Sequence, residues 1–228
     1  RNFSRHCPDN ELRRELAMMR RTEQQQQKRI SCLKPRDETI LEHTIGYDTA
    51  LNTSMEMIDK LRDTAQSHDR CSVVEVMGRR AGYLALNVGI AVGATSIVVP
   101  EVPFDFEKDI IDRMRVTSAT GKKHFIIIVA EGVGHVMTMA EDIEKRLGIE
   151  TRATILGHVQ RGGNPTVYDR VLASQMGYYA VDILLEGKSN RVVTIQNDHV
   201  LDFDIEEALQ MKKPFDFDLY RMAHEISI

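Results

Sequence analysis

The chain of 228 residues balances 30 lysines and arginines against 34 aspartates and glutamates, a formal net charge of -4, with 42% apolar and 28% charged residues. That length buries a substantial core in one large domain or two smaller ones. A mildly acidic and otherwise ordinary composition gives no reason to expect nucleic acid or an anionic membrane as the main partner. Cys7, Cys32 and Cys71 are widely spaced and form no CxxC pair, so neither a disulfide framework nor a zinc site is indicated. With no apolar run of membrane-spanning length and no signal-peptide core, a reducing cytoplasm is the expected location.

Residues 1–43 differ in character from the rest. Arg13-Arg14, Arg20-Arg21 and Lys28-Arg29 surround a glutamine run from Gln24 to Gln27. A helix through Glu11 to Arg29 would have only Leu12, Leu16 and Met19 for an apolar face, so a solvated helix or a disordered arm is expected. The absence of interleaved aromatics argues against a nucleic-acid arm.

From Thr44 the pattern becomes regular. Leu51, Met55, Ile58, Leu61 and Ala65 recur at helical spacing within Ile45–Ala65. Strands are predicted at Ser72–Met77, Ser96–Val99, His124–Ala130, Arg152–Leu156 and Arg191–Ile195. Helices are predicted at Ala81–Val92, Asp105–Arg115, Met137–Leu147 and Pro165–Leu185, with short ones at Ile205–Met211 and Asp218–Glu225. This alternation means an α/β fold with a mainly parallel sheet covered on both faces, whose ligands sit at the carboxyl ends of the strands.

Those ends carry chemistry. Thr154 to Asp169 runs from a β-branched stretch into Gly157-His158, places Arg161 three residues on, then turns through Gly162-Gly163 toward a new helix. Two cationic or hydrogen-bonding side chains beside flexible backbone and a helix N-terminus suit a phosphate or other anion; a solvated strand-to-helix turn is the plain alternative. Gly78-Arg79-Arg80-Ala81-Gly82 follows one strand, and Glu131-Gly132-Val133-Gly134 follows another, where a carboxylate can accept hydrogen bonds from a polyol or cap a helix. Arg152 opens its strand, so it is expected at the opposite end from His158, where it would serve a neighbouring subunit's site rather than its own.

Val74–Arg79, Ala130–Gly134 and Glu150–Arg152 through Gly157–Gly163 resemble the 6-phosphofructokinase family of bacterial type. So do Thr44–Ala50, Asp169–Ser174 and Ile195–Asn197, and the likeness runs in order from about Thr44 to Ile228. The resemblance implies a parallel-sheet, three-layer sandwich with an incomplete N-terminal domain, residues 1–43 being a non-matching basic segment. It implies phosphoryl transfer to the 1-hydroxyl of fructose 6-phosphate in glycolysis, by a homotetramer that uses magnesium with ATP or pyrophosphate. By matching position, Met77, Gly78, Glu131 and His158 hold the fructose, and Arg161 with His158 binds the 6-phosphate. Arg70 and Arg152 reach across a subunit interface to that phosphate, and Arg79 steadies the phosphoryl group in flight. Lys122, Lys123 and His124 match part of an effector site, although Thr95 stands where many bacterial members carry an acidic effector-site residue.

The departures are as specific. No Gly-Gly-Asp-Gly-Ser-like turn for the donor phosphates is present, and Leu33–Asp37 stands where the family carries Thr-Ile-Asp-Asn-Asp, with Pro35 at the position of the catalytic base. Losing such a base costs about 10²–10⁴-fold in rate. A truncated or spliced chain, weakly active or inactive, is therefore expected. The alternatives are a non-catalytic sugar-phosphate-binding or regulatory subunit, or a fragment that cannot fold alone.

Overall fold

The computed structural model describes residues 44–211 and 213–227. The expectations for the arm, for Pro35 and for Asp37 lie outside them. The described residues divide into two compact units, 44–172 with 213–227, and 173–211.

The first unit opens with helix α1 (Tyr47–Ser67), which leads into strand β1 (Cys71–Val76), helix α2 (Tyr83–Ala91) and strand β2 (Ser96–Val98). A π-helical turn (Glu107–Asp112) runs on into α3 (Arg113–Ala119), followed by β3 (Phe125–Ala130), α4 (Val136–Leu147) and β4 (Thr151–Ile155). A 3₁₀ turn (Gly157–Arg161) and helix α5 (Val167–Leu185) come next. The strands make one parallel sheet in the order β2-β3-β1-β4. The apolar runs Val73–Val76 and Phe125–Ala130 are central because parallel strands are buried on both faces.

Alternation of side chains along the strands divides the core in two. Val74, Val76, Ile126, Ile128 and Ala130 face Ile58 of α1 and Ala85, Leu86 and Val88 of α2. Val73, Phe125, Ile127 and Val129 form the second cluster with Ile110, Ile111 and Met114 and with Met139, Ala140 and Ile143 of α4. The result is the expected three-layer α/β sandwich. The apolar stripe on α1 is borne out, with Ile58 and Ala65 fully buried and Leu51, Met55 and Leu61 packed on the same cluster. The chain end returns as α7 (Phe217–Ile226), where Phe215, Tyr220 and Ala223 join the α1–α2 side.

The second unit differs from the expectation. The strand predicted at Arg191 does not join the parallel sheet. Instead β5 (Arg191–Gln196) pairs antiparallel with β6 (His199–Asp204), followed by a short α6 (Ile205–Gln210). Gln196 faces His199 across a two-residue turn in which Asn197 and Asp198 have φ of 49° and 60°. Positive φ at both positions is the turn geometry that matches strand twist and favours asparagine and aspartate.

Candidate functional site

Because α2 follows β1 on one face and α4 follows β3 on the other, the carboxyl ends of these neighbouring strands open a crevice. In open α/β sheets this reversal is where ligands bind. The β1 turn carries Met77, Gly78 and Arg79, the β3 turn carries Glu131, and the 3₁₀ turn after β4 carries His158 and Arg161.

Arg79 sits at φ 54°, in the left-handed region that side chains other than glycine seldom adopt. Side chains from the other two turns hold this backbone in place. Glu131 Oε2 accepts the N–H groups of Gly78 at 3.1 Å and Arg79 at 2.8 Å. Gln160 Oε1 accepts the Met77 N–H at 2.7 Å. Glycine is required where the turns touch: a Cβ on Gly132 would lie 2.5 Å from the Arg79 carbonyl oxygen, and one on Gly78 would lie 2.3 Å from that of Ala81.

Glu131 is exposed, and its carboxyl titrates below the usual carboxylate range. The Arg79 and Gly78 N–H bonds are the main cause; partial burial opposes them, and the Arg79 and Arg161 charges add to them. Both bonds fall on Oε2, which leaves Oε1 as an ionised acceptor facing solvent. Arg161 from the β4 turn thus sits within electrostatic reach of the β3 turn.

The 3₁₀ turn explains the spacing read from sequence. With three residues per turn, His158 and Arg161 fall on the same side. Both are exposed, whereas Gln160 between them is 2% exposed and points inward. The structure therefore brings together Met77, Gly78, Arg79, Glu131, His158 and Arg161 at one edge of the sheet.

Arg70 and Arg152 lie at the other edge. Arg70 directly precedes β1 and Arg152 sits at the start of β4, in register with Ser72. They share the carboxylate of Glu150, Arg70 Nε at 2.7 Å from Oε2 and Arg152 Nη2 at 2.9 Å from Oε1. Those two guanidinium groups hold the Glu150 carboxyl below its usual range. A six-residue strand spans roughly 20 Å, so within one chain neither arginine reaches the crevice, as expected for Arg152.

Lys122, Lys123 and His124 precede β3 at this same amino edge. Burial, and then the neighbouring Arg62, push the Lys122 ammonium down. Burial, Lys122 and Arg62 lower His124, against an opposing pull from Asp69. Lys123 Nζ lies 3.7 Å from Asp69 Oδ2. Thr95 is fully buried.

Sequence reasoning missed two residues. Gln160 gives no signal of burial, since the hydrophilic turn around it hides which side chain points inward. Asp169, 2% exposed, accepts the Gly46 N–H at 2.9 Å, the Thr49 N–H at 2.8 Å and the Thr49 hydroxyl. It thereby caps α1, whose own N-cap, Gly46, has no side chain to do so. The Thr-x-x-Asp spacing from Thr166 carries a trace of this, because Thr166 Oγ1 accepts the Asp169 N–H at 3.3 Å. Among the described residues no group of three or more His, Cys, Asp or Glu side chains could hold a metal ion. No described helix is long and apolar enough to cross a membrane.

A family profile described as phosphofructokinase matches residues 36–184. The chain belongs to the phosphofructokinase family. It is 56% identical over 185 residues to an ATP-dependent 6-phosphofructokinase of Brevibacillus brevis, covering 81% of this chain and 58% of that protein. It is 54% identical over 191 residues to an ATP-dependent 6-phosphofructokinase 1 of Clostridium perfringens, covering 84% and 60%. The chain thus spans somewhat under two thirds of these relatives' length. Among solved structures, phosphofructokinase from Saccharomyces cerevisiae matches with a TM-score of 0.71 at 34% identity, covering 76% of this chain and 24% of that one. A pyrophosphate-dependent phosphofructokinase from Marinobacter aquaeolei shares the fold, with a TM-score of 0.64 at 21% identity over 81% of this chain and 54% of that one.

Proposed function

We propose that residues 44–228 form the fructose 6-phosphate half of a 6-phosphofructokinase site. The observation that carries this reading is the crevice in which Glu131, held by the Gly78 and Arg79 N–H groups, senses the charge of Arg161. Glu131 Oε1 accepts a hydrogen bond from a fructose hydroxyl. Met77 and Gly78 bound the ring, and His158 and Arg161 engage the 6-phosphate from one side of their turn. Arg79, exposed at the end of β1, stabilises charge on the phosphoryl group being transferred to the 1-hydroxyl, a reaction that depends on positioning and electrostatics.

Arg70 and Arg152, sharing Glu150 at the far edge, serve the phosphate of a neighbouring subunit in a tetramer. Lys122, Lys123 and His124 contribute to an effector site, and the protein works in the cytosol. The phosphoryl donor is ATP, as the curated relatives' names state for them, or pyrophosphate, and magnesium accompanies either. Neither donor nor metal is assigned to a described residue.

The test is a turnover assay of the purified 228-residue chain with fructose 6-phosphate and magnesium, run separately with ATP and pyrophosphate, beside calorimetric binding of fructose 6-phosphate. Binding is expected. Turnover with either donor would name it. Binding without turnover supports the non-catalytic subunit reading. A folded chain that does not bind fructose 6-phosphate overturns the proposal.

A further inference from the structure

Three consecutive backbone N–H groups, those of Met77, Gly78 and Arg79, donate to side chains from other strand ends rather than to backbone: one to Gln160 and two to Glu131. The place of this turn is therefore set by two side chains, and the two differ in exposure. Glu131 is exposed and available to a ligand. Gln160 is 2% exposed, with its Nε2 buried and without a hydrogen-bond partner, so it reaches the crevice only through what it holds.

We propose that Gln160 is a positioning residue. Through its bond to the Met77 N–H it fixes the β1 turn against the His158–Arg161 turn, and so sets the recognition of the sugar ring as distinct from the phosphate. The proposal rests on the fructose 6-phosphate reading above. Its physical basis is the 3₁₀ turn: the geometry that puts His158 and Arg161 on the outer side drives Gln160 inward. A rotation or shift of one turn is thus transmitted to the other across a sequence separation of 83 residues. A glutamine is suited to this. It supplies an uncharged acceptor that can be buried without the desolvation cost of a carboxylate.

The experiment compares calorimetric affinities for fructose 6-phosphate and glucose 6-phosphate, which share the phosphate and differ in the ring, in the unaltered chain, Q160M and Q160E. Methionine matches the shape of glutamine but cannot accept the Met77 N–H, whereas glutamate, kept by the same burial in its neutral acid form, retains a carbonyl acceptor there. In Q160M the preference for fructose 6-phosphate is expected to fall about tenfold, the equivalent of one buried hydrogen bond lost, and Q160E is expected to restore most of it. A substitution that merely loosened the fold would weaken both ligands alike, leaving their ratio unchanged, and that result overturns the proposal. Equal loss in Q160M and Q160E also overturns it, because the acceptor would then be irrelevant.

Should Q160M fail to fold, amide hydrogen exchange in the unaltered chain decides: Met77 is expected to exchange slowly, and more slowly still with fructose 6-phosphate bound. Exchange there as fast as in an open turn overturns the proposal. Absence of fructose 6-phosphate binding by the unaltered folded chain removes the functional reading and this one with it. Binding with an unchanged Q160M ratio removes this one alone.

Discussion

Of the two oxygens of Glu131, Oε2 takes the turn's N–H groups and Oε1 is the one proposed to meet the ligand. Its carboxyl is held below the ordinary value of 4.5, so the ionised acceptor persists as the pH falls through the usual carboxylate range and is lost only beneath it. The affinity ratio of the unaltered chain to Glu131→Gln should therefore stay flat from neutrality to about pH 5. Using the ratio removes the phosphate's own proton near pH 6. A ratio that collapses by pH 5 would mean that the carboxylate is not held as described. Arg161→Ala should weaken fructose 6-phosphate binding by about 1.5–3 kcal/mol, as loss of a charge-assisted contact does. Unchanged calorimetric affinity removes Arg161 from the site. Residues of this kind were legible in the sequence because each follows a predicted strand and sits among glycines, where a charged group needs a reason to be. Gln160 was not legible, since only the angular step of the 3₁₀ turn decides which of four adjacent side chains faces inward.

Among the elements, α1 depends on a cap supplied 120 residues away, through Asp169 and Thr49. Asp169→Ala leaves the Gly46 and Thr49 N–H groups without their acceptor and should lower stability by about 2–4 kcal/mol in denaturant unfolding. A loss under about 0.5 kcal/mol would show that solvent replaces the cap. Helix α7 is tied down at its end, where Arg113 Nη2 donates to the His224 carbonyl at 2.7 Å. Burial, and then the Arg113 charge, lower the His224 imidazole below its ordinary 6.5, with Asp109 pulling the other way. The unfolded chain binds that proton more readily, so the contribution is complete above pH 6.5 and is lost as the pH falls beneath it. His224→Gln should flatten the thermal midpoint between pH 7 and pH 5.5; an unchanged slope assigns the acid sensitivity elsewhere. The parallel sheet was readable because the apolar runs of β1 and β3 are too short for helices and alternate with stretches of helical spacing. The β5–β6 ribbon was missed for the converse reason. His199–Asp204 alternates weakly and is half exposed, and its strongest signal, the Asn197-Asp198 turn, is only two residues long.

At the scale of the whole molecule, the residues proposed for the ligand and those proposed for assembly are separated by the length of the sheet. Arg152→Ala is expected to weaken fructose 6-phosphate binding in the oligomer and to leave a demonstrably monomeric form unaffected, as read by calorimetry beside sedimentation. Equal loss in both forms contradicts a cross-subunit role. The layered architecture of the first unit was legible, whereas the partition of charge between the two edges needed the register that pairs Cys71 with both Phe125 and Thr151. That register has a mechanical consequence. On β1, Arg70 stands before one end and Met77 after the other, and on β3 the pair is His124 and Glu131; on β4, Arg152 is the second residue of the strand and His158 lies three residues beyond its end. Strands β1 and β3 are hydrogen-bonded side by side, each with one group from each cluster at its two tips and no turn between them. A slide of either strand at the outer rim would arrive at the crevice as the same displacement, whereas on β4 the left-handed Gly157 stands as a joint before His158.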